Sequence, residues 1–98
     1  MVFREFKRVE CVLYFDPPLV LKPSLDDETR QLLLVTNEDL GIYVYAQTRE
    51  QLADELAAEV FFLWDEYAQE SPDKLTDKAK ELRTKLLNRC REEAHDAA

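Results

Sequence analysis

The thirteen residues Leu40-Gly41-Ile42-Tyr43-Val44-Tyr45-Ala46-Gln47-Thr48-Arg49-Glu50-Gln51-Leu52 pass from a repeat of two to one of about 3.6, and so mark a strand running into a helix. Ile42, Val44 and Ala46 fall on one face. Tyr43 and Tyr45 fall on the other, where they either pack under a second element or lie on a half-exposed sheet surface. Thr48 and Gln51 have the spacing of a capping box: the threonine hydroxyl can accept from the Gln51 amide, and the Gln51 side chain can return to the Thr48 amide. Beyond the cap, Leu52, Leu56, Val60, Leu63 and Tyr67 recur on one stripe, widened by Ala53, Ala57 and Trp64. This predicts a long helix over about 49–70 with that side on the sheet. Phe61 and Phe62 lie outside the stripe, in acidic surface, and need cover of their own.

Upstream, Gln31 to Thr36 and Ile42 to Ala46 flank a short polar loop containing the one glycine of the chain. They read as a hairpin in which Gly41 or Asn37 takes a positive φ. Phe3 to Phe15 alternates as a single strand with Val9, Cys11, Leu13 and Phe15 on its apolar side. Asp16-Pro17-Pro18 is expected to stop it. Leu19-Val20-Leu21 is then a brief edge strand, and residues 24–30 a charged loop or single helical turn. Downstream, Glu70-Ser71-Pro72-Asp73 ends the first helix. Thr76 and Asp77 start a second over about 76–93, with Ala79, Leu82, Leu86, Leu87 and Cys90 as its narrower stripe. Residues 94–98, including His95, should fray. The predicted fold is α+β in the order β-β-β-α-α: a small antiparallel sheet of three to four strands over residues 3–47, the long helix across it, and the C-terminal helix.

Ninety-eight residues suit one domain, 1–98, and 46% hydrophobic with 35% charged residues suits a packed core. The formal net charge is −8, which opposes binding to phosphate backbones or anionic lipid and makes direct nucleic-acid binding unexpected. Residues 49–70 carry one cation against seven carboxylates, whereas residues 78–91 carry six cations against one. The two segments could attract each other within the chain, or the first could bind a basic partner and the second an acidic one.

One glycine, one histidine, and serines at 24 and 71 alone remove the usual parts of phosphate loops, metal clusters and nucleophilic triads. No catalytic residue, metal or cofactor is therefore expected. Cys11 and Cys90 sit in apolar periodicities and read as buried reduced thiols. The charged N-terminal residues do not resemble a secretory signal, and no run approaches the roughly 18 apolar residues of a membrane span. A cytoplasmic protein without membrane association is expected.

The stretch from Leu40 to Leu52, with the first strand and Leu32 to Val35, resembles the strand-to-helix junction of HicB-like antitoxin domains. The resemblance implies an acidic helix packed across a three-stranded sheet. It also implies an oligomeric antitoxin that binds and blocks a basic ribonuclease toxin. Together with the charge layout it predicts a small acidic interaction module that captures a basic protein through Glu55, Glu59, Phe61, Phe62 and Glu66 and forms a homodimer. The alternatives are an acidic inhibitor that mimics nucleic acid, a small protein with no catalytic role and an unknown partner, and a minimal enzyme of unrecognised type, which an enclosed pocket with convergent polar groups would favour. Phe61 and Phe62 could be covered by Leu82, Leu86 and Leu87 of the second helix while its cations meet the acidic ladder, or by a partner or second copy. An uncovered edge of the hairpin could also pair with its equivalent in a neighbouring chain.

Overall fold

The computed structural model describes residues 1–25 and 32–94. Its elements in chain order are β1 (Val2–Lys7), β2 (Cys11–Val20), β3 (Ser24–Leu25), β4 (Leu33–Asn37), β5 (Ile42–Ala46), α1 (Arg49–Leu63), a π-helical segment (Trp64–Ala68), a short 3-10 turn (Pro72–Lys74), α2 (Asp77–Arg89) and β6 (Cys90–Ala94). The architecture is α+β and antiparallel, with the long and the C-terminal helix in the expected order. The strands, however, divide between two three-stranded sheets, β1-β2-β6 and β3-β4-β5. One contiguous core joins them, with Leu13, Leu19, Val35, Leu40, Leu52 and Leu56 fully enclosed.

The first sheet departs most from the sequence reading. Phe3 to Phe15 is a hairpin, with Phe6 opposite Leu13 and Lys7 opposite Val12. The turn closes where the Arg8 amide donates to the Cys11 carbonyl at 3.0 Å. No Gly, Pro or Asn marks that turn, so the alternation reads straight through it. Nor do the prolines end the strand. The register jumps from Phe3 opposite Leu19 to Glu5 opposite Tyr14, so residues 15–18 bulge out across from Arg4. Pro17 and Pro18 therefore sit where no ladder N–H is required. Leu19 and Val20 continue β2, and the Leu21 amide extends the pairing to the Met1 carbonyl at 2.8 Å.

The second sheet follows the expected hairpin. Gly41 takes φ +69°, and Asn37 turns the loop with its side chain instead, its Oδ1 accepting from the Leu40 amide at 3.0 Å. α1 begins at the Thr48 cap, whose hydroxyl accepts from the Gln51 amide at 3.1 Å; the Gln51 side chain reaches back to the Gln47 amide rather than that of Thr48. The helix packs across β5 and β4. It ends at Leu63 and widens into the π segment, where the Gln69 amide donates to the Trp64 carbonyl at 3.1 Å.

α2 stops at Arg89, short of the expected 93, and Cys90–Ala94 pairs with β2 as β6. Ala94 thus lies in a strand opposite Cys11 rather than in a frayed tail; residues 26–31, from the expected charged loop and the start of the next strand, and the tail with His95 lie outside the described residues. Cys90 sits opposite Phe15, four ladder positions from Cys11. That separation, about 13 Å along a strand, keeps the two buried thiols free.

Burial pushes the Cys90 thiol up to about 12, against a smaller opposing pull from Arg89. The thiol's ordinary value is 9.0, so between about 9 and about 12 the unfolded state has lost a proton that the fold keeps. This group therefore leaves stability unchanged below that window and lowers it as pH rises through it. Urea unfolding at about pH 8 and about pH 10.5 should show a larger loss for the natural chain than for Cys90→Ala. Equal losses would mean that the thiol ionises freely in the fold.

Candidate protein-binding surface

The outward residues of β5 build one half of the surface. Tyr43 and Tyr45 are 62% and 55% exposed, their rings edge to face with centroids 5.7 Å apart. With Leu32 and Leu34 they line a shallow depression of about 240 Å³. On their other side, Tyr43, Val44 and Tyr45 line a second depression of about 280 Å³ together with Glu55 and Glu59 of α1. The tyrosines thus form a ridge between the Leu32 and Leu34 side of the sheet and an acidic wall. The alternation of β5 left open whether they would be covered; the structure leaves them exposed.

α1 supplies the other half and separates the two phenylalanines. Glu55, Glu59 and Phe62 follow at intervals of four and three residues, which lines them up along one flank of α1, and Glu66 comes four residues later in the π segment. Phe62 is 54% exposed on that flank. Phe61 turns into the core at 8% exposure and does not belong to the surface. The Arg8 guanidinium lies over its ring, 4.6 Å from the centroid. Arg8 is held there by two bonds to the Asp65 carboxylate, at 2.7 and 3.0 Å, and by Nε–H donation to Cys11 Sγ at 3.2 Å. The bonds to Asp65 raise the Arg8 pKa further above its ordinary value, so this cation is permanent.

α2 does not neutralise the acidic ladder. It packs mainly on the π segment, with Leu86 buried, Leu82 partly buried and Leu87 exposed. Its cations turn elsewhere: Lys85 pairs with Asp39 at 3.2 Å, Arg83 donates to the Glu70 carbonyl, and Arg89 donates to the Pro17 carbonyl in the β2 bulge at 3.1 Å. Of the carboxylates in residues 49–70, Asp65 pairs with Arg8 and Glu70 with Lys74; Glu50, Asp54, Glu55, Glu59 and Glu66 have no ion-pair partner among the described residues. Negative charge in α1 therefore stays available beside exposed aromatic area.

Among the described residues, no group of three or more His, Cys, Asp or Glu side chains is placed to hold a metal ion, and no helix is long and apolar enough to cross a membrane. No protein-family model, curated protein or solved structure matches this chain.

Proposed function

We propose that this chain is a small protein-interaction module that captures a basic protein along the exposed flank of α1. One observation carries this reading: Phe62 stands exposed in line with Glu55 and Glu59 and just before Glu66 of the π segment, none of these carboxylates ion-paired among the described residues. An aromatic anchor bordered by like charges suits a partner that offers apolar area ringed by lysine or arginine. A pure mimic of nucleic acid would need the carboxylates but not the exposed rings. Within this reading the chain neutralises a basic ribonuclease toxin, as the resemblance of the β5–α1 junction to HicB-like antitoxins implies.

The test is a pull-down from the native host with partner identification by mass spectrometry, run on the natural chain and on Glu55→Lys/Glu59→Lys/Glu66→Lys. The natural chain should retain a basic protein, and the triple variant should bind it at least about tenfold more weakly while keeping its helical circular dichroism. Unchanged capture would overturn the reading.

A further inference from the structure

The edges of the two sheets are guarded unequally. β1 carries Arg4, Glu5 and Lys7, and β6 carries Arg91, Glu92 and Glu93, the charges by which edge strands resist further pairing. β3 is only two residues long. β5, by contrast, is Ile-Tyr-Val-Tyr-Ala, without a charge or a proline, and pairs with β4 on one side alone among the described residues. Its other side opens into the depression bounded by Glu55 and Glu59. We infer that the β5 edge receives an extended basic segment of the partner as an added antiparallel or parallel strand. Apolar side chains of that segment lie against Tyr43 and Tyr45, and alternate lysines or arginines reach Glu55 and Glu59.

Strand addition draws affinity from main-chain hydrogen bonds and specificity from alternate side chains, and this edge offers both. Charge also selects between occupants. A second copy paired across β5 would bring two sets of Glu55 and Glu59 to one seam in a chain of net charge −8, whereas a basic segment neutralises them. This inference rests on the proposed capture of a basic protein and specifies its geometry.

The isotope-labelled full chain would be titrated with peptides of about ten residues that alternate Lys or Arg with Val, Ile or Tyr, followed by nuclear magnetic resonance. The expected result is saturable binding, with shifts and slowed amide exchange centred on Tyr43 to Ala46. N-methylation of the edge-facing peptide amides should weaken it about tenfold, through loss of two or more main-chain hydrogen bonds. Glu55→Gln/Glu59→Gln should weaken it by a similar factor, about tenfold. Because the decisive change is made in the peptide, the fold of the protein is not at risk.

Binding that ignores N-methylation and shifts α1 alone would overturn strand addition while leaving capture of a basic protein intact. Absence of binding across the peptide set would also overturn it, and the pull-down would then decide the broader reading by itself. Dimers in sedimentation whose dilution perturbs the β5 amides would assign the edge to a second copy, and that too overturns it.

Discussion

Replacing Trp64 with alanine is expected to lower the free energy of unfolding by about 3 to 5 kcal/mol, a large share of the stability of a domain this size. Two losses combine. The indole is buried at 6% exposure where α1 passes into the π segment, so its removal leaves a cavity against the segment that supports α2. Its N–H also donates to Glu92 Oε2 at 2.5 Å, beside Gln69 Nε2 at 2.7 Å, and this shared carboxylate fastens β6 to the π segment. Trp64→Phe keeps much of the apolar area and removes the donor, so it should cost less than the alanine variant. Hydrogen exchange should quicken in β6 more than in β5, because β5 is held by β4 and α1 without the indole. A cost below about 1 kcal/mol with unchanged β6 protection would contradict this account.

β6 also shows where local sequence stops specifying structure. Cys90-Arg91-Glu92-Glu93-Ala94 contains good helix formers and no β-branched residue, so propensity extends α2 through it. Pairing with β2 and the Trp64–Glu92 bond override that preference, and neither is visible within a local window. The β5–α1 junction is the opposite case. The Thr48 cap, the inward Ile42, Val44 and Ala46, and the buried Leu52, Leu56 and Val60 all follow from near neighbours in the chain.

The candidate surface divides along the same line. The excess of apolar area at Phe61 and Phe62 is legible from helical spacing, and so are the carboxylates beside it. That Arg8 covers Phe61 is not, since it depends on a turn 57 residues before Asp65 that carries no turn residue in its sequence. The tyrosine ridge falls between: its strand and parity are legible, but its exposure depends on what the remaining chain packs over it.

Leu56→Ala should cost about 2 to 5 kcal/mol, while Phe62→Ser and Glu59→Gln should each stay within about 0.5 kcal/mol of the natural chain. Leu56 is fully buried where α1 crosses the second sheet, and truncating it opens a cavity that neighbouring leucines can only partly fill. Phe62 is 54% exposed, and Glu59 has no ion-pair partner among the described residues, so the fold has little to lose at either position. Urea unfolding of the three variants therefore separates the two flanks of one helix. An exposed ring that the fold does not need is free to serve the proposed contact with a partner. If Phe62→Ser instead destabilised the chain as strongly as Leu56→Ala, the ring would be serving the core, and the case for the α1 flank as a binding surface would fail with it.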